Sequence, residues 1–491
     1  MSTLHRPFLF SAMDKYVGLI INLATTAVVA RLLTPDEIGV FVVGGAIVVL
    51  AETLRDFGTS AYIVQQRVLD RDAVRTAFTA MAILSLAIAG TLALLAGPIA
   101  DFYADQRLVP VVRIAAMGVL LGSFAAPPVA LLRRELAFGQ LAIINTAGLL
   151  ANLVASVVFI KLGAGYLSLA FASFAAALTV TLGAVLYHPK FWIFRPSFGH
   201  WREVFSFGGF SSATAVLNNF YQVLPQALLG RLAGFESAGL YSRAMTLCQL
   251  PDRAIVGAFQ PVIFPAFAAE VRAGGDLKGA YLHALALLTA VQWPVLICMA
   301  LLAEPIVAIL LGSQWGTAAP VLRILAIAYM AMTPAPLTYP TLVALGKVKD
   351  TTTSSLITLP IGVAAILVAA PFGLMAVALS MLASWPLQVA VSMLFVQHRV
   401  GFGWRELLGA LWKSVPVCIS TGLVPAAVVI HAGFTADLPL TALVVACAGA
   451  GIGWLLGLRA THHPLHGELR QAIGLLRSRF TKKRLAAASS H

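Results

Sequence analysis

The chain has 491 residues, of which 59% are hydrophobic and 11% charged, with a mean hydropathy of +0.89. A water-soluble domain runs near a quarter charged, so the composition excludes a soluble enzyme and leaves multi-span transporters, flippases and membrane polymerases. The formal net charge of +13 does not indicate nucleic acid, because basic residues gather on the cytoplasmic side of membrane proteins.

Met1 to Lys15 shows no cleavage-site pattern, so the first apolar run is read as a retained helix rather than a signal peptide. Runs of membrane length fall at 16–33, 38–54, 77–99, 111–132, 140–160, 165–187 and 205–229. They continue at 239–258, 281–303, 318–345, 352–371, 373–396, 409–432 and 438–458. The expectation is an all-α integral membrane protein of about fourteen spans. Pro320, Pro334, Pro336 and Pro340 predict a kink or break in the 318–345 run.

Assigned to alternate sides of these runs, most of the 33 Lys and Arg fall on the side holding both termini. The opposite side has only Arg31, Arg107, Arg113, Lys161, Arg231, Arg243 and Arg323. This imbalance predicts an even number of spans with both termini cytoplasmic. In the C-terminal tail, Leu465, Leu469, Ile473, Leu476 and Phe480 recur at helical spacing among basic residues. They read as an amphipathic helix on the inner face, drawn to anionic lipid.

A shift of 200 residues lays Ala30–Phe41 on Gly230–Tyr241, with Arg31/Arg231, Leu32/Leu232 and Gly39/Gly239 identical. Each segment joins the first helix of a set to the second, and six helices separate them. An even separation predicts two parallel six-helix repeats, at 1–200 and 201–400, related about an axis normal to the membrane. Residues 401–458 would hold two extra helices, and 459–491 a basic cytoplasmic tail.

Several segments carry a family resemblance. They are Arg31-Leu32-Leu33-Thr34-Pro35-Asp36-Glu37-Ile38-Gly39, Asp56-Phe57-Gly58-Thr59-Ser60-Ala61, Leu132-Arg133-Arg134-Glu135-Leu136-Ala137-Phe138 and Gly163-Ala164-Gly165-Tyr166-Leu167-Ser168-Leu169. The second half adds Gly239-Leu240-Tyr241-Ser242-Arg243-Ala244, Phe264-Pro265-Ala266 and Leu311-Gly312-Ser313-Gln314-Trp315. Together they resemble the polysaccharide-transport (Wzx-type) branch of the multidrug/oligosaccharidyl-lipid/polysaccharide (MOP) flippase superfamily, over residues 10 to about 330. The resemblance implies two lobes facing a central cavity, alternating access, and an undecaprenyl-diphosphate-linked oligosaccharide as cargo. It also makes a polysaccharide polymerase and other assembly proteins candidate partners, beside membrane lipids.

Ionisable residues in membrane segments usually face a wet cavity. In the seventh run Asn218, Gln222 and Gln226 form one stripe with Asn219 beside it, and Asn22 is a repeat equivalent. Cavity lining and hydrogen bonding between helices are both open. The eighth run places Tyr241, Gln249 and Asp252 on one face, and Asp252 aligns with Glu52. With Arg55, Asp56 and Arg253 nearby, this reads either as a gate or diphosphate site or as anchoring of helix ends. Arg31, Arg231 and Arg243 read as phosphate contacts or as loop packing. Asp14 and Lys15 either serve the cavity or pair with each other.

No Walker A motif, HExxH, C-x-x-C or nucleophile motif stands out, so no cofactor, metal, catalytic residue or nucleic-acid partner is expected. The rival readings are a drug/cation antiporter of the same superfamily, which should favour acidic cavity residues, and an integral-membrane polysaccharide polymerase.

Overall fold

The computed structural model describes residues 5–66, 68–433, 435 and 438–471, and among them every regular element is helical. In order these are α1 (His5–Leu32), α2 (Pro35–Asp56), α3 (Thr59–Gln65), α4 (Arg71–Tyr103), α5 (Leu108–Arg134), α6 (Phe138–Lys161) and α7 (Ser168–Tyr187). Then come α8 (Trp201–Leu232), α9 (Gly234–Cys248), α10 (Leu250–Ala273), α11 (Leu277–Leu301), α12 (Ala303–Leu310) and α13 (Ala318–Met330). The last are α14 (Ala335–Ala344), α15 (Val348–Ala369), α16 (Leu374–Val400), α17 (Trp404–Trp412), α18 (Ser414–Ala432) and α19 (Leu440–Ala460).

Twelve helical segments among the described residues are long and apolar enough to cross a membrane, against the fourteen expected. The seventh and eighth expected runs are helical but fall outside that set, in α8 and in α9 with α10. The eighth run is divided at Gln249. Its first part, α9, has only 15 residues, and α10 carries Asp252, Arg253, Glu270 and Arg272. Backbone polar groups must be satisfied inside each segment in lipid, so helices are the form such a composition takes.

Local signals set the helix ends. Thr34 and Glu37 form a reciprocal capping box on α2, with Pro35 at the first position. Asp70 caps α4 by accepting from the Ala73 N–H at 2.6 Å. The predicted break in the 318–345 run occurs between α13 and α14. Trp293 of α11 donates its indole N–H to the Met330 carbonyl at 2.9 Å, so the interruption leaves that oxygen paired.

The chain divides into two compact units. One holds residues 1–246, 307–321 and 359–381; the other holds 247–306, 322–358 and 382–491. In the first, Ile63, Ala77, Ala130, Ile193 and Val204 form a core that ties α3, α4 and α5 to the entry of α8. In the second, Tyr281, Leu285, Leu337, Met393 and Phe402 join α11, α14 and α16.

The tail corrects one expectation. Leu465 is buried and packs with Leu469 against Ala290, Val417 and Leu458 of the second unit, so this part of the apolar stripe faces protein rather than lipid. Ile473, Leu476 and Phe480 lie outside the described residues, as does Arg67.

Candidate functional site

Several of the family-like segments meet in the first unit. Arg31 Nη2 donates to the Ile309 carbonyl at 2.5 Å. Trp315 Nε1 donates to the Ala30 carbonyl at 2.7 Å, and Gln314 Nε2 donates to the Ala30 and Leu33 carbonyls at 2.5 and 3.1 Å. Thus the Leu311–Trp315 turn closes the carbonyls left over at the end of α1. At Gly39 a Cβ would overlap the Phe235 carbonyl, and at Gly239 it would overlap that of Pro35. Small residues let α2 and α9 approach at backbone distance here. Arg231 stands over the Phe102 ring at 5.3 Å.

Neighbouring motifs act the same way. Arg107 pairs with Asp36 and Asp105 at 2.5 and 2.7 Å. Its hydrogen bonds to the Asp105 and then the Asp36 carboxylate raise its guanidinium above the usual arginine range. Arg134 Nη1 donates to the carbonyls of Ile63, Val64 and Gln66 at the end of α3. Burial pulls the Glu135 carboxyl up, but hydrogen bonds from His188 and Lys190 outweigh it and hold the carboxyl below the ordinary range. These residues fasten loop ends.

A polar cavity of about 410 Å³ opens at the Asp56 end of α2, between that helix and α8. Glu52, Thr53, Asp56 and Asn219 supply its polar lining, and Val49, Gly58, Ala61 and Ala215 the rest. Asn219 Nδ2 donates to Thr53 Oγ1 at 2.7 Å, and Ser60 Oγ donates to Asp56 Oδ1 at 2.5 Å. Carboxylates, an amide and a hydroxyl facing one space suit a ligand that offers both hydroxyl donors and acceptors. Phe57, at the helix terminus, has φ 41, an uncommon conformation for a residue with a side chain, and Gly58 follows at φ 66.

The second unit has its own polar centre. Gln292 of α11, with no exposed surface, donates to Asp252 of α10 at 3.2 Å. The Tyr329 hydroxyl of α13 also bonds to Asp252. Gln292 Oε1 is buried and finds no hydrogen-bond partner among the described residues.

Of the predicted residues, the structure brings Glu52 and Asn219 to the cavity. Arg55 is turned onto α5, where Nη1 approaches the Val119 carbonyl at 3.4 Å and packs over Gly122. Arg253 donates to Gln249 at 3.0 Å, and Asp252 goes to Gln292. The Nε of Arg243 is buried without a hydrogen-bond partner among the described residues, and Tyr241 is buried close by in sequence. Asn22 donates to its own helix at Gly18, and Asp14 accepts from Asn145 at 3.1 Å. Lys15 and Asn218 make further interactions, while Gln222 is exposed and Gln226 half-buried. Sequence reasoning missed Thr53, Gln292 and Tyr329. The hydroxyls carry no periodic signal, and Gln292 sits alone in an apolar run.

Among the described residues no group of three or more His, Cys, Asp or Glu is placed to hold a metal ion. A profile of the family described as "Polysaccharide biosynthesis protein" matches residues 28–320. The chain is 28% identical over 331 residues to the succinoglycan biosynthesis transport protein ExoT of Rhizobium meliloti (strain 1021), covering 67% of this chain and 66% of that one. It is 24% identical over 324 residues to the lipopolysaccharide biosynthesis protein WzxC of Escherichia coli (strain K12), covering 65% of each. These alignments span a little under two thirds of the relatives' length. Among solved structures, a lipid II flippase MurJ in an inward closed conformation matches with a TM-score of 0.72 at 12% identity, covering 92% of this chain and 99% of that one. An inward-facing multidrug resistance MATE transporter of the MOP superfamily matches with a TM-score of 0.64 at 18% identity, covering 80% and 98%. At such identities the structural matches speak for the fold.

Proposed function

Because this multi-pass membrane chain belongs to the polysaccharide biosynthesis protein family, within the MOP superfamily, we propose that it is a flippase rather than an enzyme. Its cargo would be an undecaprenyl-diphosphate-linked oligosaccharide, carried from the inner to the outer leaflet of the cytoplasmic membrane by alternating access. Two parallel six-helix repeats would provide the two lobes, with both termini cytoplasmic. The observation that carries the reading is the polar cavity of Glu52, Thr53, Asp56 and Asn219 between α2 and α8.

The sugar head and diphosphate cannot cross a hydrocarbon core of ~30 Å unaided at a useful rate, because their polar groups would lose water without replacement. A protein cavity with fixed hydrogen-bonding groups replaces that water. Arg55 and Arg243 are proposed to reach the diphosphate in another state of the cycle, since here Arg55 lies against the Val119 carbonyl and the Nε of Arg243 is buried; Arg253 is proposed as a further cation in the second unit. The diphosphate bears negative charge, and moving one elementary charge through 100 mV is worth ~2.3 kcal/mol. An inside-negative potential therefore favours outward movement, to the extent that no protein cation travels with it.

The test is transfer of lipid-linked oligosaccharide in proteoliposomes under an imposed potassium-diffusion potential. Movement that grows with inside-negative potential is the expected result, and no movement at any potential overturns the reading. One observation favours a second reading. Glu52 and Asp56 make the cavity acidic, which suits a drug/cation antiporter. Proton-driven uptake of ethidium by the same vesicles, without oligosaccharide transfer, would select it.

A further inference from the structure

The second unit carries a short helix that its membrane crossing does not need. α17 is joined to α18 through Lys413, and together they form one apolar stretch of 29 residues, Trp404–Ala432. At 1.5 Å per residue such a stretch rises about 43 Å, well beyond a hydrocarbon core of ~30 Å. The 19 residues of α18 alone rise about 28 Å, so α18 suffices for the crossing and α17 is surplus to it. Contacts with α11 agree. Ser414, at the start of α18, meets Thr289 in the middle of α11 at 2.8 Å. Lys278, in the first turn of α11, pairs with Glu406 of α17 at 2.5 Å. Phe402, just before α17, stacks on Tyr281 with ring centroids 5.2 Å apart. α17 therefore stands beside the first turns of α11, at the end of the span that the Lys and Arg distribution predicts to be cytoplasmic.

At 100° per residue, Leu407, Leu411, Trp404, Leu408 and Trp412 fall in one arc of about 140° around α17. One side of the arc is used by the protein: Leu407 is buried, and Leu411 packs with it on the core of Tyr281, Leu285 and Phe402. The other side is open. Trp404 is 44% exposed, Leu408 60% and Trp412 70%, at spacings of four residues. On the polar face Glu406 is taken by Lys278 and by the Gly403 N–H at 2.9 Å. Arg405 and Lys413 are exposed and form no ion pair among the described residues. The helix thus presents an apolar strip ended by two indoles, beside two cations whose one acidic neighbour is already neutralised.

We propose that α17 binds anionic phospholipid of the adjoining leaflet, with Trp404, Leu408 and Trp412 at the boundary between headgroups and acyl chains and Arg405 and Lys413 on headgroup phosphates. Indole suits that boundary because its ring is apolar while its N–H still meets water. The face of an ordinary span touches acyl chains alone and gains nothing from headgroup charge. Here the cations stand next to the strip, so its complement is an amphiphile with a negative head. A zwitterionic lipid would cover the strip but bring no net charge to Arg405 and Lys413. The assignment is independent of the flippase reading.

The test uses the full chain in nanodiscs of phosphatidylcholine with phosphatidylglycerol as a minor component, only one of the two carrying bromine on its chains near the headgroup. The chain has eight Trp, so the signal is the fluorescence that a Trp404→Phe, Trp412→Phe double variant lacks. These conservative changes at exposed positions should leave the unfolding midpoint unchanged. Both brominated lipids should quench that signal. Per mole, phosphatidylglycerol should quench as though enriched about fivefold for each cation, the ratio equivalent to the ~1 kcal/mol by which one basic residue is drawn to an anionic surface. Arg405→Gln with Lys413→Gln should bring the two lipids level without abolishing quenching by phosphatidylcholine. Equal quenching per mole in the native chain overturns the proposal. So does a signal that neither lipid quenches, the result expected if a second copy of the chain covers the strip. A preference that survives in the glutamine variant overturns the role of Arg405 and Lys413.

Discussion

Gly239 of α9 lies against Gly39 of α2, two positions that a shift of 200 residues aligns in the sequence. A Cβ added at Gly239 would stand 3.1 Å from the Gly39 nitrogen and would overlap the Pro35 carbonyl. The first turns of α2 and α9 thus pack on each other, and each requires its glycine because backbone occupies the space where a side chain would begin.

From this contact follows a sharp contrast among the glycines of α2 and α9. Gly39→Ala or Gly239→Ala should destabilise the protein by about 1–3 kcal/mol, the usual cost of forcing extra atoms into packed space. Gly45→Ala meets nothing within 4 Å and should be neutral or slightly stabilising, since alanine is the better helix former. Thermal unfolding of the purified variants in detergent checks this. Equal midpoints for all three would show that the crossing is loose.

Trp315 and Gln314 both donate to the Ala30 carbonyl, so their deletions should not add simply. Trp315→Phe keeps most of the ring and leaves Gln314 to satisfy that oxygen, so it should cost about 1 kcal/mol. Adding Gln314→Leu strands the carbonyls of Ala30 and Leu33, and the double variant should lose more than the two singles together. Unfolding midpoints of the two singles and the double measure the coupling.

Much of this architecture is legible in the chain. Thr34-Pro35 and Glu37 announce the start of α2, and the cluster of prolines near 334 announces the break after Met330, because both act through local backbone chemistry. The amide stripe of α8 was legible as a face but not as a set of partners: Asn219 reaches Thr53, while Gln222 stays exposed. Periodicity reports direction around a helix and nothing about which helix lies opposite. For the same reason Arg55, read as a cation for a cavity, is instead placed against the Val119 carbonyl. The ring contact of Phe57 with Phe205 joins residues far apart in sequence and leaves no local trace.

The cavity gives a prediction that separates its carboxylates from its neighbouring cation. If Glu52 and Asp56 pair with sugar hydroxyls, Glu52→Gln and Asp56→Asn keep acceptors and should retain part of the transport, while the alanine variants should lose most of it. If the carboxylates instead bind a drug cation, the amide variants should be as inactive as alanine. For Arg55, Arg55→Lys should retain part of the activity and Arg55→Ala should lose most of it, at equal membrane expression. The same pair of changes at Arg243 should behave alike. Complementation of a flippase-null strain reads all of these.

His463 offers a pH-dependent anchor for the tail. It is buried, its Nδ1 accepts from the Leu465 N–H at 3.2 Å, and its Nε2 lies 3.4 Å from Ser414 Oγ, which pairs with Thr289 at 2.8 Å. A neutral ring with its proton on Nε2 satisfies both contacts, whereas a second proton on Nδ1 would oppose the Leu465 N–H. Burial, with Lys413 and His283 nearby, lowers the ring to about 4. The unfolded ring titrates near 6.5, so between these values the unfolded chain binds more protons than the folded one. The stabilisation is therefore complete above pH ~6.5 and is lost as pH falls toward the folded value. Hydrogen exchange at Leu465 and Leu469 should accelerate relative to α19 when the pH drops from 7 to 5, after correction for intrinsic rates. His463→Gln, which can still donate to Ser414 but does not titrate, should remove that dependence. A tail equally protected at both pH values in the native protein would show that the ring does not anchor it.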